Sequence, residues 1–172
     1  MNTFERFIKR STTVAILLTL IRFYLGWKWL TSGWGKITGS KAFDASSFLK
    51  NAIANSTGAK PTVQGWWGSF IEAVALPNIK VINVLIPWGE FLVGLALLLG
   101  IFTVFAAWMG ALMNFSFFLS GSISTIPQML LCSFILIYAG QHAGRIGIDY
   151  LLYRYRRKAQ GSVGPEQPAA PG

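Results

Sequence analysis

The residues of this chain best placed to do chemistry are ionisable groups set in apolar surroundings. Arg22 stands in the run Leu18-Thr19-Leu20-Ile21-Arg22-Phe23-Tyr24-Leu25, and Glu90 is the only charged residue from Val81 to Ala139. An ionisable group inside a bilayer costs at least roughly 2.5–3.5 kcal/mol, so it turns towards a partner or a wet cavity. With a helical rise of about 1.5 Å per residue, Arg22 lies about 15 Å in from Thr12 and Glu90 about 10 Å in from Asn83, on the opposite side. The two depths differ by about 5 Å, which predicts an Arg22–Glu90 pair, with Asn114 at similar depth as a third member. Such a pair either fixes helix packing or does chemistry: a guanidinium beside a carboxylate donates to a carbonyl oxygen and passes protons. Trp27, Trp29, Trp34, Trp88, Tyr24 and Phe91 offer flat surfaces to an aromatic head group, or form belt and core.

Lys36 falls where the apolar run ends and is expected to snorkel to the interface. His142, Arg145 and Asp149 follow the last apolar segment, with Arg145 and Asp149 spaced i,i+4 for a helical ion pair. The chain has one histidine and one cysteine, Cys132. That excludes bis-histidine haem ligation by this chain alone and membrane dithiol–disulfide exchange. No zinc-ligand set, phosphate-binding glycine loop or dinucleotide fingerprint is present. No metal site is expected, and any electron carrier is a diffusible quinone or belongs to a partner.

The elements that must position these residues are apolar helices. Of 172 residues 53% are hydrophobic and only 12% charged, against roughly 25% charged in soluble domains. Four segments are long and apolar enough to predict an all-α membrane protein, a four-transmembrane-helix bundle with spans at about 12–37, 84–105, 106–120 and 127–146. Residues 1–158 form the single membrane domain, and the Pro- and Gly-rich stretch 159–172 reads as a disordered cytoplasmic tail. The basic clusters Arg6, Lys9, Arg10 and Arg154, Arg156, Arg157, Lys158 place both termini in the cytoplasm of a multi-pass protein of the cell membrane. These clusters account for much of the net charge of +9 as orientation signals and lipid contacts, not nucleic-acid binding. In the outer loop between the first two spans, Phe48, Leu49, Ala52 and Ile53, and then Trp66, Trp67, Phe70, Ile71 and Val74, predict two short amphipathic helices. They either roof a site between the spans or only anchor the chain at the interface. Glycine-lined faces such as Gly140 and Gly144 would let copies pack together as a homo-oligomer.

Several blocks carry a resemblance. Arg22-x-x-x-Gly26 and Gly33-x-x-Lys36 occupy the first segment, Pro87-Trp88-Gly89-Glu90-x-x-x-Gly94 and Leu99-Gly100-Ile101-Phe102-Thr103 the second. Asn114-Phe115 with Ser120-Gly121-Ser122-x-Ser124-Thr125-x-Pro127 follow, and Gly147-x-Asp149 ends the fourth. With these blocks the chain resembles the DoxX/DoxD-like membrane proteins, most closely the DoxD small subunit of thiosulfate:quinone oxidoreductase. The resemblance implies a membrane subunit of a quinone-linked oxidoreductase acting on a sulfur compound in the respiratory chain, beside a second protein subunit. The alternative is a non-catalytic membrane anchor or accessory subunit of a respiratory complex. On the first reading Glu90 and Arg22 are catalytic, and Arg22, Asn114, Trp88 and Lys36 bind the quinone, the sole cofactor expected.

Overall fold

The computed structural model describes residues 12–140, 143 and 147–149. Among the described residues there are six α-helices and one π-helical turn, and no strand. Helix α1 is Thr12–Thr38; α2 (Ser46–Ala54) and α3 (Gly65–Phe70), which runs into the π turn Ile71–Ala75, fill the connection to α4, Ile79–Leu99. Helices α5 (Thr103–Leu119) and α6 (Ile126–Ala139) follow. The terminal basic clusters, His142, Arg145 and the tail 159–172 lie outside the described residues.

Helices α1 and α4 are long and apolar enough to cross a membrane, and α5 and α6 are shorter apolar helices. Their outer surface differs from that of a soluble protein. Leu20, Trp27, Val84, Leu92, Phe105 and Leu131 are exposed, whereas Arg22, Glu90, Asn114, Thr103 and Ser133 are buried. Large apolar side chains facing outward, around an apolar core that also takes in these polar groups, suit a hydrocarbon solvent, since water would penalise a surface of that kind.

Helix α4 begins before and ends before the segment 84–105 expected for it. At its C-terminus, Gly100 takes the left-handed conformation, φ +66°. The N–H of Ile101 donates to Ala96 O at 3.0 Å and that of Gly100 to Leu97 O at 3.3 Å, the paired closure that satisfies last-turn carbonyls behind a glycine. At its other end the helix runs through Pro87 rather than starting beside it. An interior proline gives up one backbone hydrogen bond, a loss that close-packed neighbouring helices tolerate.

Among the described residues, packing of α1 on α4 is the most extensive, followed by α5 on α6. A stripe of small residues brings the first pair together. A Cβ on Gly94 would stand 2.3 Å from the backbone N of Leu30, and one on Gly33 2.4 Å from that of Phe91. Backbones this close need glycine at both places, as in other membrane helix pairs joined by small residues. The two helices run antiparallel, with Gly33 against Pro87 and Phe91 and Gly26 against Gly94 and Leu98. This register decides where each polar group goes. The connection holds its own small core of Ala45, Leu49, Ala52, Val63, Ile71 and Ala75, so α2, α3 and the π turn form a folded cap.

Candidate functional site

Two polar clusters sit at opposite ends of the α1–α4 seam. At the capped end, Glu90 is 2% exposed. Its Oε2 accepts from the Ser32 hydroxyl at 2.8 Å and from Lys36 Nζ at 2.5 Å. Lys36 also donates to Ser32 Oγ at 2.8 Å and stands 5.7 Å from the Phe43 ring centre. Ser32 and Lys36 are one turn apart on α1 and share a face, so both reach a carboxylate that the glycine stripe brings level with them.

At the other end, Arg22 is 1% exposed. Its guanidinium donates to Ala143 O at 3.5 Å and lies against Gly100 and Gly147. The Asp149 carboxylate is near enough to act on it electrostatically. Asp149 also closes the start of α5. Its carboxylate accepts from Phe102 N at 2.8 Å, Thr103 N at 2.9 Å and the Thr103 hydroxyl at 2.8 Å, while its own N–H donates to Gly100 O at 2.8 Å. A carboxylate on the unpaired N–H groups of a helix start is favoured by both hydrogen bonding and the helix dipole.

The expected Arg22–Glu90 pair therefore does not form, and Lys36 takes the place of Arg22. Counting depth from Thr12 and Asn83 left out the slide between the helices. Gly94 seats beside Gly26 and Leu30, which puts Glu90 level with Ser32, ten residues or about 15 Å along α1 from Arg22. Asp149 binds the start of α5; Arg145, its expected partner, lies outside the described residues. Trp88 is half exposed and meets Phe91 edge-on, with ring centres 6.1 Å apart; it is not part of the cavity wall.

Beside Glu90 is a cavity of about 630 Å³, walled by Lys28, Trp29, Ser32, Lys36 and Glu90, by Phe43 to Ala45 and Phe48 of the cap, and by Asn114, Ser122, Ser124 and Thr125. Its size falls within the roughly 300–1,000 Å³ of small-molecule sites. Two donors of its wall residues are buried and unspent: among the described residues Asn114 Nδ2 and Trp29 Nε1 have no hydrogen-bond partner, with Asn114 1% and Trp29 2% exposed. Buried donors are almost always satisfied; Trp29 Nε1 is packed against Gly110 of α5, which leaves the Asn114 amide as the unspent donor of a residue in this wall. Of the residues expected at the site, the structure brings together Glu90, Lys36 and Asn114 and leaves Arg22 and Trp88 elsewhere. Ser32 and the Trp29 indole N–H were not singled out as hydrogen-bonding groups; the four-residue spacing from Ser32 to Lys36 was the available signal.

Asp44 ties the cap down over this cavity. It accepts from Asn83 Nδ2 at 3.1 Å, from Ser46 N at 3.0 Å and from the Ser46 hydroxyl at 2.6 Å, and Ala45 N donates to Asn83 Oδ1 at 2.8 Å. The Ser46 hydroxyl, followed by the Ser46 N–H and the Asn83 amide, holds the Asp44 carboxyl below its ordinary value. A carboxyl more acidic folded than unfolded adds stability that is fully present above the unfolded value, about 3.9, and is lost as pH falls through the folded one. Thermal unfolding should thus shift downward between pH 5 and pH 3 by more in the native protein than in Asp44→Asn. Equal shifts would remove Asp44 from the latch.

The DoxX family model matches residues 17–122, a stretch that holds both sides of the α1–α4 seam and all of α5. No curated protein and no solved structure gives a match. The matched segment covers more than half of the 172 residues, and with two helices able to cross a membrane the chain belongs to the DoxX family of membrane proteins.

Proposed function

We propose that this chain is the membrane subunit of a quinone-linked oxidoreductase and that the capped cavity is its quinone site. The observation that carries this reading is the buried carboxylate of Glu90, held by Lys36 and Ser32, in the same cavity wall as Asn114 with its unspent amide. A quinone supplies two-electron, two-proton chemistry when bound, and its carbonyl oxygens are the acceptors this wall lacks. Asn114 orients the head group by donating to it, with the Trp29 ring as an apolar wall. Glu90 Oε2 holds or releases a proton, with Lys36 and Ser32 steadying its charged form. The cap narrows access to the cavity from its outer side. Electrons come from outside the chain, through a partner subunit, and a sulfur anion such as thiosulfate, drawn by Lys36 and Lys41, suits the donor. In this reading α1, α4, α5 and α6 all cross the cell membrane, with both termini cytoplasmic.

The rival reading, a non-catalytic anchor, is supported by the filled Arg22–Asp149 end, whereas the open Glu90 end supports ligand binding. The test is mass analysis of small molecules retained by the purified protein. Quinone should be present near one per chain in the native protein and at least about tenfold depleted in Asn114→Leu, a loss of about 1.4 kcal/mol in binding. Equal, trace amounts in both proteins would favour the anchor.

A further inference from the structure

A second cavity, of about 660 Å³, opens between α4 and α5 and runs under the cap. These helices are joined by only three residues, yet they pack against each other far less than α1 does on α4 or α5 on α6. Its walls are apolar almost throughout. The two hydroxyls that reach it are spent within the protein: Ser116 donates to Leu112 O at 2.9 Å, and Ser120 donates to Ser116 O at 2.8 Å while accepting from Trp67 Nε1 at 2.9 Å. A ligand here is offered no hydrogen bond and no charge, so the groove suits hydrocarbon and not a head group.

The groove is not isolated. Phe48, Ile86 and Phe117 belong to its wall and to the wall of the Glu90 cavity. Phe48 and Phe117 stand edge to face at that junction, with ring centres 6.3 Å apart and planes at 79°. Met109 and Met113 line the α5 side, and their unbranched side chains adapt to an irregular chain. At the outer mouth are Leu92, 56% exposed, and Phe105, 65% exposed.

We propose that this groove holds the hydrocarbon tail of the amphiphile whose head occupies the Glu90 cavity, the tail passing the Phe48–Phe117 junction and leaving between α4 and α5. The ligand class is thus a hydrogen-bond-accepting head on a single long apolar chain, admitted sideways from the bilayer. The proposal rests on the reading above for the head group alone. Lipid surrounds a tail with apolar contacts too, so the groove contributes packing and a tether that raises the local concentration of the head.

The experiment uses the full chain in lipid nanodiscs and two probes, a benzoquinone without a tail and the same head bearing three isoprene units. Partition into empty nanodiscs is subtracted. The tailed probe should bind the native chain at least about tenfold more tightly than the tail-less one. Met109→Trp, which fills the groove, should abolish that advantage and leave binding of the tail-less head unchanged. Leu92→Trp, at the exposed mouth where folding is not at stake, should do the same. A tail advantage absent from the native chain, or surviving in both variants, overturns the proposal, as does a phospholipid retained one per chain that the tailed probe fails to displace. If the tail-less head binds without any tail advantage, the groove assignment alone falls; if neither probe binds, the quinone reading falls and takes the tail with it.

Discussion

Glu90→Gln should lower quinone reduction by about 10²–10⁴-fold, the range attached to a positioned proton-transfer group, while the protein stays folded in the membrane. The amide still accepts from the Ser32 hydroxyl, and Lys36, with 27% of its side chain exposed, can turn its ammonium outward. Lys36→Met has the opposite signature. It leaves a carboxylate that is 2% exposed without its cation, a change that costs about 3–5 kcal/mol in buried pairs, with the lower end expected because Lys36 is partly exposed. The double variant should regain most of that stability and none of the activity, because the unpaired buried charge is gone and so is the proton carrier. Denaturant unfolding of the four proteins gives the coupling energy, and initial rates of quinone reduction give the other half. Native turnover in Glu90→Gln would end the assignment of Glu90 as the proton-handling group.

Asp149→Ala should be among the most destabilising single substitutions in the molecule. It removes three hydrogen bonds at the start of α5, a capping loss of about 0.5–2 kcal/mol. It also removes a negative charge that acts on the buried Arg22 guanidinium from nearby, which adds to the loss. Asp149→Asn keeps an acceptor for the α5 N–H groups and loses only the charge, so it should fall between. Whatever fraction of either variant folds should turn over normally, because this cluster lies at the far end of the seam from the cavity. Unchanged unfolding together with altered KM for quinone would reverse the assignment and return Arg22 to the reaction.

Much of the helical content was legible because the apolar runs are long and the turn residues strong. Gly100 and Pro127 both mark boundaries, and the connection's two amphipathic patterns became α2 and α3 with its π turn. The polar residues were legible as a set for a simple reason: burial of Arg22, Glu90 and Asn114 follows from their cost in hydrocarbon. Their pairing was not. Composition and depth constrain a helix along its own axis, whereas partner choice depends on the slide and rotation of one helix against another. Here that slide is fixed by backbone contacts at Gly33 and Gly94, which carry no charge and no hydrophobic signal. Ser32 was missed for a related reason, since a lone serine in an apolar helix ordinarily bonds its own backbone, and only the arrival of Glu90 gives its hydroxyl another use.

The nearness of Arg22 and Asp149 also sets an order of events during synthesis. Ribosomes add roughly 5–20 residues per second, so with Asp149 well over a hundred residues downstream, Arg22 waits several seconds at the least for that negative charge. Lys36 waits less, since Glu90 lies on the next long helix. Throughout that interval α1 is a poor guest for lipid alone, carrying cations that only later helices neutralise. The nascent chain therefore has reason to stay beside the insertion machinery until Asp149 arrives, and truncation before Asp149 would leave the buried Arg22 without that nearby negative charge.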